Sequence, residues 1–237
     1  IMSATLFLLA CGCLLAIKPV KRPEMSGPAN PFSQMIDGLR YVRRNRLVLG
    51  AISLVLFAVL LGGATAMLPV FARDILHAGP AGLGHLRAAP AIGAALTALL
   101  FVYRPLKHNV GTKMLFGVAV FGGATVVFGF SRWMPLSLAC LTLLGAADML
   151  SVYVRQSLIQ LYTPDAMRGR VGSVSTLFIS ASNELGEAES GFLAALIGPV
   201  AAVVAGGVGA VLVTALWAKW FPELRRARTF EPPKSLE

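Results

Sequence analysis

Long apolar segments separated by short polar stretches make up most of this 237-residue chain. A helix needs roughly 20 mostly apolar residues to cross the hydrocarbon core of a bilayer, and six segments reach that length. They cover residues 47–70, 83–103, 113–131, 135–160, 171–197 and 199–221. A partial segment, 1–17, precedes them and ends at Lys18. The pattern predicts an all-α, polytopic transmembrane helical bundle with six full spans and the end of a preceding membrane helix.

A polar linker, 18–46, connects the partial segment to the first full span. Its beginning is rich in proline, glycine and charge, as is typical of a loop. Towards its end, apolar residues at positions 35, 36, 39 and 42 repeat with helical spacing, and arginines lie on the other side. We expect this part to form an amphipathic helix on the membrane surface. The six-helix domain then covers 47–221, and a polar tail covers 222–237.

The basic residues are divided unevenly between the two sides of the predicted bundle. If successive loops alternate sides, 17 of the 21 Lys and Arg residues lie on the side of the linker and the tail. Because positive charge accumulates in cytoplasmic loops, the linker and the C-terminal tail are predicted to be cytoplasmic. The net charge of +10 is then explained by membrane orientation, and nucleic acid is not an expected partner, since the charges form no single patch.

The composition sets further limits on function. Hydrophobic residues make up 56% of the chain and charged residues only 14%, against roughly 25% in soluble domains, so the lipid bilayer is an expected partner. The sequence contains no signature of a phosphate-binding loop, a zinc protease, a serine hydrolase or a dinucleotide site. We therefore expect no enzymatic activity, no cofactor and no metal site.

Two charged residues fall inside the span 135–160. Asp148 lies near its middle and Arg155 follows seven residues later, on the same helical face but about 10 Å along the axis. They are not expected to pair directly, although they could line one cavity. The alternatives are that Arg155 extends to the cytoplasmic headgroups and that Asp148 contacts a neighbouring helix.

Three carboxylates, Glu184, Glu187 and Glu189, lie within six residues near the middle of the span 171–197. Glu184 and Glu187 are three residues apart and share a helical face, whereas Glu189 points away from Glu187. Charges inside a membrane are costly and usually functional, so this pair is a candidate for proton coupling or substrate binding. The alternative is that the acids are solvated in a wide cavity or bonded to adjacent helices.

Small residues recur every fourth position in three of the spans. Such stripes let helix backbones approach closely in lipid, so they predict a compact bundle. They are Ala58-Gly62-Ala66, Ser182-Gly186-Ser190 and Ala202-Gly206-Ala210.

Four short stretches carry a resemblance to a known family: GLRYVRRN at 38–45, GAAD at 145–148, TPDAMRGR at 163–170 and ASNELG at 181–186. They resemble the bacterial exporter branch of the major facilitator superfamily, of the transmembrane secretion effector type, which includes macrolide and siderophore exporters. The resemblance implies that the chain is the C-terminal half of a 12-helix carrier in the bacterial cytoplasmic (inner) membrane. The expected partners are a small-molecule substrate, protons and the missing N-terminal half, and the implied function is proton-coupled efflux of small amphiphilic molecules by alternating access.

The resemblance also assigns roles to loops and repeats. Such halves consist of two inverted three-helix repeats, here 47–131 and 135–221. The six full spans correspond to the seventh to twelfth helices of such a carrier. Many members carry an Asp and an Arg in the cytoplasmic loop after the second or the eighth helix, but the loop after the eighth helix reads LKHNVGTK at 106–113 in this chain. Arg168 and Arg170 in the next cytoplasmic loop are therefore the better candidates for a cytoplasmic gate.

Two other classes of function remain open at this point. A membrane-embedded enzyme would need a reactive group of side chains near a membrane face, and the sequence shows none. A non-transporting sensor or assembly subunit would leave the cost of the carboxylates inside the membrane without compensation.

Overall fold

The computed structural model describes residues 31–106, 108–227 and 229–230, together with Gly12. The chain divides into two compact units, 1–31 and 32–237. The predicted partial span at 1–17, apart from Gly12, lies outside the described residues, as do residues 18–30 of the linker and residues 228 and 231–237 of the tail.

The described part of the second unit is helical and contains no strand. In chain order the main helices are α1 (Pro31–Arg44), α2 (Arg46–Leu61), α3 (Gly79–Tyr103), α4 (Val110–Phe130), α5 (Met134–Tyr162), α6 (Asp165–Ile197), α7 (Pro199–Trp220) and α8 (Pro222–Arg226). The predicted all-α fold is therefore confirmed.

Five of these helical segments are long and apolar enough to cross a membrane, namely Arg46–Ile75, Gly79–Tyr103, Val110–Phe130, Met134–Tyr162 and Pro199–Trp220. The sixth predicted span corresponds to α6, which has 33 residues and so is long enough. α6 is less apolar than the other five and is not counted with them, because Glu184, Glu187 and Glu189 lie near its middle. The chain is a multi-pass membrane protein in which one long helix is unusually polar.

The first span is not one continuous helix. It is interrupted after Leu61, where the Gly62 N–H donates to the Val59 carbonyl at 3.1 Å instead of continuing the α-helical pattern. A 3₁₀ turn (Ala64–Met67), a short α-helical piece (Leu68–Val70) and a π-helical turn (Phe71–Ile75) follow. Pro69 within this segment has no N–H to donate. The span therefore reaches residue 75, beyond the predicted end at residue 70.

Some of the helix pairs in the bundle correspond between its two halves. α3 packs against α5 as α2 packs against α6, and α4 packs against α5 as α2 packs against α7. The pairs α4 with α7 and α2 with α5 map onto themselves when α2, α3 and α4 are exchanged for α5, α6 and α7. The correspondence is incomplete, because α6 also packs against α7 whereas α3 does not pack closely against α4, so the division into two three-helix repeats stays a prediction.

A pair of facing glycines brings the backbones of α4 and α7 close together. A Cβ added to Gly122 would lie 2.8 Å from the Gly207 carbonyl oxygen, and one added to Gly207 would lie 2.7 Å from that of Gly122. Both positions therefore require glycine. The small-residue stripes behave as predicted in α6 and α7, because Ser182, Gly186, Ser190, Ala202, Gly206 and Ala210 are all buried.

Apolar side chains form a core at each end of the bundle. At one end Phe71 and Phe128 stack with their ring centroids 4.7 Å apart. At the other end Trp217 packs among α2, α4 and α5 side chains, and its indole N–H donates to the Ser53 hydroxyl at 2.9 Å. Phe121 packs against both clusters and lines a cavity in the bundle.

Candidate functional site

A cavity of about 330 Å³ lies between the two apolar clusters. Five helical segments contribute to its wall, since the interruption of the first span meets α3, α4, α5 and α6 here. The lining residues are Val59, Gly62, Gly63, Thr65, Pro90, Ala91, Ala94, Phe121, Leu144, Gly145, Asp148, Asn183 and Glu187. Most of the wall is apolar, and its charged groups are the carboxylates of Asp148 and Glu187.

The wall is shaped by close backbone contacts. A Cβ on Gly145 of α5 would overlap the Pro90 carbonyl of α3, and one on Gly186 of α6 would lie 2.8 Å from the Leu60 carbonyl oxygen at the end of α2. Gly63 in turn lies against Ser190 and the Gly186 backbone. These contacts fix α5 against α3 and α6 against the interrupted span, so they set the positions of the polar groups that both helices carry.

Asp148 is half-buried in the cavity wall. Its backbone carbonyl accepts the Ser151 hydroxyl at 2.8 Å. Its carboxylate forms no ion pair among the described residues. An acid placed inside a membrane without a basic partner is costly unless it meets water, a proton or a ligand, so the position of Asp148 fits a binding or coupling role.

The rotation of α6 decides which of its three acids reaches the cavity. Its buried stripe, with Gly186 at the centre, faces the first span. Asn183 and Glu187 are four residues apart and so share one flank of that stripe, and both line the cavity. Glu184 is on the far side of the helix and is exposed, whereas Glu189 is on the opposite flank and half-buried. Of the predicted pair, only Glu187 is in the cavity wall.

Arg155 is buried within the bundle. Only 3% of the residue is exposed, so it does not extend to the headgroups. It lies one turn before Ile159, which packs with Val42, Val48 and Val174 at the end of the bundle. Its Nε and Nη1 atoms have no hydrogen-bond partner among the described residues. Arg155 does not belong to the cavity wall formed by Asp148, and the two side chains do not form an ion pair, as the spacing predicts.

The two candidate gate arginines make contacts within this chain. Arg168 pairs with Asp165 at 2.7 Å, and its Nε donates to the Gln160 carbonyl at 2.7 Å. It thereby satisfies a carbonyl at the end of α5 and fixes the turn into α6. Arg170 lies 3.5 Å from the Asp37 carboxylate and so connects α6 to α1.

The loop at 106–113, which departs from the family pattern, has a packing role of its own. The Gly111 N–H donates to the Ala227 carbonyl at 3.1 Å, and a Cβ on Gly111 would overlap the Leu224 carbonyl. The glycine therefore permits α8 to lie directly on the start of α4. The glycine at this position is therefore explained by helix packing.

Sequence reasoning did not identify Asn183, Thr65 or the helix interruption as parts of the site. The signal for the interruption was present, because Gly62 and Gly63 are adjacent glycines in the middle of an apolar segment. Neutral polar residues such as Asn183 give no comparable signal, since their position depends on helix rotation. The described residues contain no group of three or more potential metal ligands.

Comparison with known proteins decides the family. A family model described as transmembrane secretion effector matches residues 2–231. The chain belongs to the transmembrane secretion effector family. The resemblance to this transporter branch of the major facilitator superfamily, inferred from four short stretches of sequence, is therefore confirmed.

Curated proteins similar to this chain support the same assignment. The chain is 29% identical over 232 residues to the enterobactin exporter EntS of Escherichia coli O1:K1 / APEC, covering 95% of this chain and 55% of the relative. It is 28% identical over the same length to that of Escherichia coli O139:H28. The chain thus spans about half the length of the curated relatives it matches. No solved structure matches it.

Proposed function

We propose that this chain forms one half of a secondary active transporter that exports a small molecule. The observation that carries the proposal is the placement of Asp148 and Glu187 in one cavity at the level where the first span is interrupted. Interrupted membrane helices next to polar groups are where secondary carriers bind substrates and coupling ions. Membership of a transporter family supports the same function.

The exposed acids of α6 support the presence of a second half of the transporter. Glu184 and Glu187 are both exposed in this chain alone, and charged groups facing hydrocarbon are too costly to be maintained without a reason. A polar cavity shared with six further helices would cover them. The matched relatives are nearly twice as long as this chain, which leaves room for such a half.

We further propose that export is driven by protons and proceeds by alternating access. Asp148, Glu184 and Glu187 are the candidates for proton uptake and release, and Arg155 is the nearest buried cation on the same helix as Asp148. The largely apolar cavity wall fits a small amphiphilic substrate, of drug or siderophore type, and matched relatives are named as enterobactin exporters. Arg168 and Arg170 remain the proposed contacts of a cytoplasmic gate.

The proposed location is the bacterial cytoplasmic membrane, with the linker and the C-terminal tail on the cytoplasmic side. The distribution of basic residues supports this orientation. In the structure, Arg44, Arg46 and Arg226 line one pocket at the same end of the bundle, as the alternating-loop assignment expects.

The test is transport by the complete carrier in proteoliposomes with an imposed pH gradient. Siderophores and lipophilic drugs would be supplied as substrates, and flux through Glu187→Gln would be compared with flux through Glu189→Gln. Both residues are on α6, but only Glu187 lines the cavity. We expect gradient-driven flux in the wild type and in Glu189→Gln, and none in Glu187→Gln.

Two results would count against the proposal. Equal flux in both variants would show that Glu187 is not required and that coupling lies elsewhere. Flux that is independent of the pH gradient would leave export in place but remove proton coupling. The variant Glu184→Gln separates the cavity wall from the rest of the exposed face, because Glu184 lies outside the wall.

A further inference from the structure

A second cavity, of about 710 Å³, lies at the end of the bundle where α1 turns into α2. Its wall combines residues from the ends of four helices: Tyr41 and Arg44 of α1, Arg46 at the start of α2, Tyr162 at the end of α5, and Arg226 at the end of α8. It is separate from the cavity of Asp148 and Glu187, with which it shares no residue.

Side-chain hydrogen bonds and an ion pair connect the helices around this cavity. The Tyr41 hydroxyl donates to the Tyr162 carbonyl at 2.6 Å, which joins α1 to the end of α5. Arg46 pairs through Nε with Glu223 at 3.3 Å and donates through Nη2 to the Trp220 carbonyl at 3.2 Å, which joins α2 to α7 and α8. Because these three contacts connect distant parts of the chain, they set the positions of the helix ends that form the cavity wall.

The charge balance of the wall is positive. Three arginines, Arg44, Arg46 and Arg226, face one carboxylate, Glu223. Glu223 is already paired with Arg46, and neither Arg44 nor Arg226 forms an ion pair among the described residues. The neighbouring charged groups Arg43 and Arg225 are also basic, so nothing on these elements neutralises the two arginines.

The cavity lies at the level of the membrane surface. Arg46 is the first residue of the first span, and the apolar side chain of Leu47 lines the wall directly below it. Trp220 ends the last span and is 56% exposed, and exposed tryptophans are typical of the region of the lipid headgroups. A ligand here would meet guanidinium groups on the water side and apolar surface on the membrane side.

We propose that this cavity binds the phosphodiester headgroup of an anionic phospholipid, with Arg44 and Arg226 as its phosphate contacts. Arginine forms paired hydrogen bonds to phosphate, and basic pockets between membrane helices are suited to acidic headgroups. Tyr41 and Asn45 add neutral polar groups to the same wall. The lipid site joins α1 to the bundle and is independent of the proposed transport function.

The experiment is native mass spectrometry of the full chain in neutral detergent, titrated with phosphatidylglycerol or with phosphatidylcholine of the same acyl composition. We expect phosphatidylglycerol to be retained more strongly. The variant Arg44→Gln/Arg226→Gln should lose affinity for it by roughly fivefold for each arginine removed. The matched control is Arg87→Gln/Arg132→Gln, which removes two exposed arginines outside this cavity and should leave binding unchanged.

Inorganic phosphate, added in a parallel titration, distinguishes a lipid from a free anion. If it displaces phosphatidylglycerol at equal concentration, the site takes free phosphate and the lipid assignment is wrong. Equal retention of the two lipids, or full retention by the Arg44/Arg226 variant, would also overturn the proposal. Both arginines are exposed, so the variant should melt with the wild type, and its melting temperature is measured alongside to show that any loss is local.

Discussion

Carboxylates differ in their pairing between two regions of this bundle. Where α1 meets α6, Asp37 lies 3.5 Å from Arg170, and Asp165 lies 2.7 Å from Arg168. In the cavity between the apolar clusters, Asp148 and Glu187 have no ion-pair partner among the described residues. The two acids at the exposed end are thus paired, whereas the two acids of the cavity are not.

The difference separates acids that hold helices in position from acids that are open to a proton or a ligand. Ion pairs at an exposed end contribute little to stability, on the order of 1 kcal/mol or less, but they fix the relative positions of helices. An unpaired acid within a membrane span lowers stability and is kept only if the protein uses it. The same chemical group, a carboxylate, is therefore expected to respond in opposite ways to neutralisation in the two regions.

The largest effect is expected from a single substitution made in both regions. Asp148→Asn should reduce gradient-driven transport by the complete carrier to the level of empty liposomes, because a neutral amide cannot exchange a proton. Asp37→Asn should leave most of the transport intact, because it removes one exposed carboxylate but keeps both arginines of the proposed gate. Substrate flux in proteoliposomes measures both. Comparable losses in the two variants would mean that the comparison does not separate function from structure.

The next effect concerns the glycine contact that holds α4 against α7. Gly122→Val should destabilise the bundle by several kcal/mol, about 3 kcal/mol or more, because its side chain would meet the Gly207 backbone and overpacking of a close contact is costly. Gly123→Val is the matched control, since nothing lies within 4 Å of a Cβ at Gly123. Thermal unfolding in detergent measures the difference, and equal melting temperatures would show that α4 and α7 can separate without loss.

The third prediction concerns the stability of a variant of Arg155 and shows whether this residue has an ion-pair partner. Arg155 is buried and two of its guanidinium nitrogens, Nε and Nη1, have no hydrogen-bond partner among the described residues. Replacing such a charge with an apolar side chain of similar length removes a desolvation cost. Arg155→Met should therefore leave the melting temperature unchanged or raise it. The exposed Arg87→Met serves as the control for adding a methionine. A marked loss of stability, of about 3 kcal/mol or more, would show instead that Arg155 has a partner in the folded bundle.

The sequence predicted the bundle well, because each span needs a long apolar segment and such segments can be counted directly. Asp148 and Glu187 were also predictable, since a charge inside an apolar segment is a clear exception. The partition among Glu184, Glu187 and Glu189 was not, because it depends on how the stripe around Gly186 rotates α6 against the first span. The burial of Arg155 was not predictable either, because it depends on how α5 is rotated within the bundle, which no local pattern contains.

The smallest effect is expected at the contact of α1 with α6, where it can be isolated. Arg170→Gln and Asp37→Asn should each lower the stability of the bundle by about 0.5 kcal/mol, and the double variant should lose less than the sum if the 3.5 Å contact is a real pair. Asp37 also lies 3.7 Å from Arg40, so Arg40→Gln with Asp37→Asn provides a second cycle on the same acid. Coupling in the Arg170 cycle but not in the Arg40 cycle would show that the pair joins the two helices. Absence of coupling in both would mean that Gly38, whose backbone packs on the Arg170 carbonyl, positions α1 without help from charge.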